Sequence, residues 1–300
     1  MSKKKKKPNF LIPDASRSGT TTLHFYLKQH PDIFMPKKKE LRFFDRNENY
    51  KKGISYYKNK FKKHDKEKAI GESSPPYFYK GISFDKNRNY RWNIQDDPPQ
   101  RIHDKLPNVK LIFTLRNPIT RSYSQYWKNL RQGREKKYSF KKAIKEEYTG
   151  NRSPENSPMC WIYKNSYATH LKKWYSIFEE EQVKIIIFEK WINNTKSTLK
   201  EICNFLEVDS EFEFNEIDKK KNKAKTPRSI KINDWYHEYF KNSFLGRIIK
   251  KINLRPGYPK MNKKTKSYAT KIFKPKIKKL EEIIDKDLSS WINNTKHETT

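Results

Sequence analysis

Short apolar runs alternate along this chain with stretches whose apolar residues recur every three or four positions. Phe10-Leu11-Ile12 predicts a short buried strand. Lys110 to Arg116, KLIFTLR, is the clearest strand, a continuous apolar run bounded by polar residues. Val183 to Phe188 is another of the same kind, and Ala69 to Glu72 a shorter one. Between them the helical period takes over. Leu23, Tyr26 and Leu27 share one face of a helix that starts at the threonines 20–22. Tyr123, Tyr126, Trp127 and Leu130 do the same after Asn117-Pro118. A long amphipathic helix is expected through Tyr167, Leu171, Trp174, Tyr175 and Phe178, and others over 197–206 and 228–250. A last one carries Ile277, Leu280, Ile284 and Leu288 and closes at Trp291.

The remaining stretches read as connections: Asp32 to Phe44, Ser73 to Tyr79, and residues 81–100, 209–226 and 254–267. Residues 46–68 read as surface helix or loop, and 131–160 as a charged, irregular stretch. Alternating strands and helices predict an α/β fold, a single domain with a central parallel sheet and helices on both faces. The expected bounds are a basic disordered tail over 1–8, one domain over 9–292, and a C-terminal tail over 293–300.

Composition sharpens this picture in three ways. Only 34% of the 300 residues are hydrophobic, but 14% are aromatic, so the core leans on Tyr, Phe and Trp, and a disordered chain is excluded. The net charge is +34, from 68 basic and 34 acidic side chains. That charge has two readings: a polyanionic partner, or lysines scattered over a solvated surface. The two cysteines, Cys160 and Cys203, are not in a metal-type spacing. Cys203 shares an apolar face with Leu199, Ile202 and Leu206, which predicts a buried thiol; two lone cysteines fit a reducing compartment, with a single bridge between them as the alternative. No apolar run is long enough for a membrane span or signal peptide, so the expected location is the cytoplasm.

The segment around the first strand carries chemistry. Strand, polar loop Asp14 to Gly19 and helix start together form an anion site. The first N–H groups of a helix have no internal partner, and its dipole adds partial positive charge. Gly19 lets the backbone approach a phosphate, Thr20, Thr21 and Thr22 add hydroxyls, and Arg17 adds a cation with a planar fork. An ATP-type loop would place a Lys after its second glycine. Here the basic residue precedes the glycine, in Arg17-Ser18-Gly19-Thr20-Thr21.

That order, followed by Leu23, His30-Pro31, Lys39-Glu40 and Phe43-Phe44, resembles the 5′-phosphosulfate loop of sulfotransferases, which use 3′-phosphoadenosine 5′-phosphosulfate. Ser73 to Tyr79 resembles their Gly-Glu-x-Ser-Pro-x-Tyr segment, and Leu115 to Ser124 their 3′-phosphate motif. The resemblance implies that Arg116 and Ser124 hold the phosphate on the ribose. Asn222 to Ser229 looks like the loop that closes over the nucleotide in bacterial-type members, which brings Lys225, Arg228 and Ser229 toward it. Phe273 to Trp291 resembles their C-terminal helix. The likeness spans nearly the whole chain and implies a P-loop-like nucleotide-binding fold.

It also implies a reaction: in-line sulfuryl transfer to a hydroxyl of a carbohydrate or glycolipid, with no metal required. Ser18, Gly19 and the three threonines bind the donor. Arg17 is assigned an electrostatic role, because it stays protonated at neutral pH. Glu40 matches the acidic residue that serves as base in glycan-sulfating relatives, with His24 and His30 as alternatives. The chain departs from the pattern in three places. Arg17 stands where many relatives have Lys, Pro13-Asp14 where a Gly is common, and Ser73 where glycan-sulfating relatives carry a second catalytic Lys. Lys39 is the nearest substitute for the last. The expected partners are a hydroxyl acceptor, with an anionic glycan suited to the charge, and no specific nucleic acid. Two rival classes remain: a P-loop kinase, which needs a Lys after the glycine and a magnesium-holding Asp, and a non-catalytic polyanion-binding protein.

Overall fold

A computed structural model describes residues 7–79, 81–84, 90–92, 97–136, 139–217 and 224–293. Most of the expected tails, 1–6 and 294–300, and Asn222 of the closing loop lie outside the described residues. The chain divides into two compact units: residues 1–116 with 166–221, and residues 117–165 with 222–300.

The first unit is built on a five-stranded sheet. Its strands are β1 (Phe10–Ile12), β2 (Ile33–Phe34), β3 (Ala69–Ser73), β6 (Lys110–Leu115) and β7 (Val183–Ile187), in the order β2-β3-β1-β6-β7. A separate hairpin pairs β4 (Ile82–Phe84) with β5 (Tyr90–Trp92). Every pairing in the five-stranded sheet is parallel, and β1 and β6 begin side by side, with Phe10 opposite Lys110 and Leu11 opposite Leu111, so that the loop after β1 runs along the end of β6. Alternate side chains go to opposite faces. Phe10, Ile12, Ile112 and Ile186 join Leu23, Leu27, Leu199, Ile202 and Cys203 in one apolar cluster. Phe113 instead meets Phe78 and Trp174, at ring separations of 5.6 and 5.1 Å. The sheet is thus covered on both faces. Each such fully buried side chain contributes about 1.5–3 kcal/mol.

Several connections carry more structure than their sequence predicts. The loop over Asp32 to Phe44 contains β2, too short to show a period. Residues 46–68 fold into the helices Asn47–Tyr50 and Gly53–Lys58 and a 3-10 turn, Asn59–Phe61, which bury Tyr57 and Phe61. The polar stretch 81–100 holds the hairpin and the start of helix Pro98–Lys105. Pro98 and Pro99 stand at the first turn, behind the Asp97 cap, where they cost the helix nothing. The long helix through Tyr167 is shorter than expected, Tyr167–Tyr175, and Phe178 reaches the core from beyond its end by stacking on Trp174. Phe214, in a stretch expected to be exposed, is buried.

The second unit is mainly helical. Asn117 caps helix Pro118–Arg131 by accepting from the Ile119 and Thr120 N–H groups. Helix Lys263–Ile284 packs against it and against helix Phe140–Tyr148. It begins within the stretch read as a loop. Within the 131–160 stretch a buried ion pair joins Arg152 to Glu135 at 2.8 Å. The hairpin β8 (Lys225–Pro227) and β9 (Leu254–Pro256) joins two segments both read as loops. Helices Ile230–Trp235 and Phe244–Ile252, with a π-helical turn over Tyr236–Phe240, complete the unit. Both cysteines are free and buried, as the Cys203 pattern predicts.

Candidate active site

The loop after β1 is held by the end of β6. Asp14 does not face a ligand: it is fully buried and accepts from Thr20 Oγ1 at 2.5 Å, Thr114 Oγ1 at 2.5 Å and Thr114 N–H at 3.2 Å. Its carboxylate is hydrogen-bonded inside the protein. Thr114 also donates to the Ser18 carbonyl at 2.9 Å. Arg116, just past β6, donates from Nη1 to the Arg17 carbonyl at 3.2 Å and lies 5.0 Å over the Phe188 ring. Tyr167 Oη fixes the Arg116 carbonyl at 2.9 Å. The two basic residues that sequence places about one hundred positions apart therefore meet where parallel strands end, the usual ligand side of such sheets.

Arg17 has φ 79° and Gly19 φ 89°, both in the left-handed region. For Arg17 this costs about 1–2 kcal/mol. Gly19 is required for a second reason: a Cβ there would collide with the Trp191 ring at Cζ3 and lie 3.0 Å from Phe188 Cε2. Helix Thr20–Leu27 starts at Gly19, without a side-chain cap. Of its three threonines, Thr20 is buried against Asp14, Thr22 is half-buried and Thr21 is exposed.

A second segment approaches the same helix. Lys39 Nζ donates to Thr21 Oγ1 at 2.9 Å. Burial pulls the Lys39 pKa below the usual lysine value, against the opposing pull of Glu40 and Asp14. Burial, with Lys39 and Lys28 nearby, also lowers His24 to about 4. His24 is therefore neutral near pH 7. His30 is buried, with its ring nitrogens at Asp209 O (2.8 Å) and Asp32 N–H (3.0 Å), a structural position.

Glu40 is exposed, with φ 60°, and its N–H donates to the Ser73 carbonyl at 3.1 Å. The residues after it hang on the end of β3. Leu41 N–H donates to Glu72 Oε2 (3.2 Å), Arg42 N–H to Ser74 Oγ (3.3 Å) and Phe43 N–H to Tyr77 Oη (2.8 Å). Glu72 also accepts from Ser74 Oγ at 2.6 Å, Tyr77 Oη at 2.7 Å and Tyr57 Oη at 3.1 Å. Burial raises its pKa, and these donors oppose the rise. Glu72 and Tyr77 are visible in the sequence as a segment, but their part in shaping the Glu40 loop is not. Ser73 is buried and carries no cation to this site.

The remaining candidates lie in the second unit. Ser124 is buried on helix Pro118–Arg131, which packs against β8, where Lys225 is exposed. Arg228 is also exposed, and Ser229 caps helix Ile230–Trp235 by accepting from Ile232 N–H at 3.3 Å. Asn253 fixes this segment, accepting from Arg228 N–H through its carbonyl at 2.6 Å and from Ser229 N–H through Oδ1 at 2.8 Å. Among the described residues no group of three or more His, Cys, Asp or Glu side chains is placed to hold a metal ion.

Residues 10–213 match the model of the sulfotransferase family. The chain belongs to that family. The match runs from β1 past β7 and so covers the loop, Glu40, Arg116 and Ser124. Mouse heparan sulfate glucosamine 3-O-sulfotransferase 5 is 27% identical over 201 residues, 67% of this chain and 54% of that protein. Membrane-associated sulfotransferase kil1 of Dictyostelium discoideum is 35% identical over 148 residues, 47% of this chain and 28% of that protein. The chain thus spans about half the length, or less, of these curated relatives. A sulfotransferase from Alicyclobacillus acidocaldarius superposes with a TM-score of 0.67 at 26% identity, over 95% of this chain and 99% of that one. The rival kinase reading is set aside by this membership.

Proposed function

We propose that this chain moves the sulfuryl group of 3′-phosphoadenosine 5′-phosphosulfate to a hydroxyl of a carbohydrate or glycolipid, with Glu40 as the base. The observation that carries the reading is the Arg116 to Arg17 contact, which joins the two anion-binding segments at the ends of β1 and β6. The residues fit a bis-anionic nucleotide. The N-terminus of helix Thr20–Leu27 supplies N–H donors, and Arg17, Lys39 and Arg116 supply cations. Asp14 is withdrawn into the protein. The heparan sulfate relative, named for a glucosamine acceptor, supports a sugar hydroxyl as the target.

In this reading Glu40 takes the proton of the acceptor hydroxyl as its oxygen bonds to sulfur. The bond from sulfur to the 5′-phosphate oxygen breaks, and that oxygen keeps the electron pair. Arg17, Lys39 and the helix N-terminus stabilise the charge that grows there. Lys39 supplies the cation that Ser73 cannot. Ser124, Lys225, Arg228 and Ser229 are assigned to the nucleotide's 3′-phosphate and adenosine end, with Arg116.

The test is transfer from radiolabelled donor to a panel of heparan-type polysaccharides and glycolipids, comparing wild type with Glu40→Gln. Transfer that falls by about a hundredfold or more in the variant, with donor affinity kept, supports the base assignment. Transfer that Glu40→Gln leaves unchanged assigns the proton elsewhere.

A further inference from the structure

Helix Phe244–Ile252 presents its apolar side outward. Phe244, Leu245, Ile248 and Ile252 occupy one stripe, within about 100° of arc at helical spacing. Phe244 is 76% exposed and Ile252 70%. The opposite side faces the protein. Gly246 is buried there, and a Cβ in its place would collide with the Phe240 carbonyl. Asn253, at the helix end, is buried and bonded to Ser229 on both its amide nitrogen and oxygen, at 2.9 and 2.8 Å. The preceding helical segment exposes Ile232, Trp235 and Tyr239, spaced i, i+3, i+7. Seven of the nine exposed large hydrophobic side chains among the described residues therefore fall within 232–252. An ordinary surface helix hides this face.

Basic side chains dominate the charge around the stripe, with Asp234 and the exposed Glu238 on the segment before it. Residues 239–280 contain fourteen Lys and Arg and no Asp or Glu. Arg247 and Lys251 border the stripe on one side, and Lys241, before the helix, and Lys250, further round it, are also exposed. Such a surface opposes docking of a second copy of this chain, which would bring like charges together. A soluble polyanion would use the charges but has no call on Phe244 or Ile252. An anionic bilayer uses both: the stripe enters the boundary between headgroups and acyl chains, the lysines meet the headgroups, and Trp235 and Tyr239 suit the interface. We infer that the face formed by helix Phe244–Ile252 and the segment before it docks on an anionic lipid surface.

The test is co-sedimentation of the full chain with vesicles of phosphatidylcholine alone and of phosphatidylcholine mixed with phosphatidylserine. Wild type is expected to sediment with the mixed vesicles and to stay in solution with phosphatidylcholine. Phe244→Ser with Ile248→Ser, or Ile252→Ser alone, is expected to weaken vesicle binding by about tenfold or more while the thermal transition stays in place. Lys250→Glu with Lys251→Glu is expected to weaken it comparably. Failure of wild type to bind the mixed vesicles overturns the inference. So does binding that survives the serine variants and is competed by soluble heparin, which would make the face a polyanion site. A serine variant that dissociates a wild-type dimer without altering vesicle binding would make it a contact between copies.

Discussion

Lys39 Nζ donates to Thr21 Oγ1 at 2.9 Å, which sets a lysine from the Glu40 loop against the first turn of the anion-binding helix. In the proposed reaction a charge so placed acts on the donor, not on the acceptor's proton. Lys39→Ala is therefore expected to lower the transfer rate by about tenfold to a hundredfold, with a normal thermal transition. Lys39→Arg, which keeps the charge, is expected to restore part of it. Steady-state kinetics on the three proteins checks this.

Gly19 is pinned by backbone and space together. Its φ of 89° disfavours any side chain, and a Cβ there would collide with the Trp191 ring. Gly19→Ala is expected to destabilise the fold by about 1–3 kcal/mol and to weaken nucleotide binding with it. Chemical denaturation, followed with and without nucleotide, separates the two effects.

Glu72 holds the Glu40 loop through the Leu41 N–H. Three side-chain hydroxyls and the Leu41 N–H converge on its carboxylate. Removing it leaves buried donors without an acceptor, at a cost of about 1–3 kcal/mol each. Glu72→Ala is expected to destabilise the protein and depress turnover through the displaced loop. Glu72→Gln keeps the shape and is expected to lose less of both. Melting curves and kcat on the pair test whether Glu72 positions the loop.

His24 gives a pH signature of known sign. Its folded value lies near 4, below its ordinary 6.5, because of burial and the nearby Lys39 and Lys28. Between those values the unfolded chain binds the proton and the folded chain does not, so stability rises with pH there. The contribution is present above about 6.5 and is lost as pH falls through about 4. His24→Gln is expected to flatten the pH dependence of the denaturation midpoint in that window. An unchanged slope would show that other groups set it.

The parts that were legible in the sequence are those whose signal is local. β1 and β6 are continuous apolar runs that end in breakers, and the Arg17 to Thr22 loop lies between one of them and a helical period. β2, with only Ile33 and Phe34, has no period to read. Lys39 is one of three consecutive lysines, and only the folded contact to Thr21 sets it apart. The role of Glu72 rests on partners up to 31 positions away. The stripe of helix Phe244–Ile252 shows a clear period, but a period does not tell which side meets the protein. Gly246 and Asn253 decide that through contacts outside the helix.

The central claim is a nucleotide site whose two arms meet at Arg17 and Arg116. Calorimetric titration with 3′,5′-adenosine bisphosphate, on wild type and on Arg116→Ala, tests it most directly. Micromolar binding by wild type, about −8 kcal/mol, that weakens by about tenfold or more in the variant is the expected result. Absence of binding by folded wild type, or binding that Arg116→Ala leaves unchanged, would contradict it.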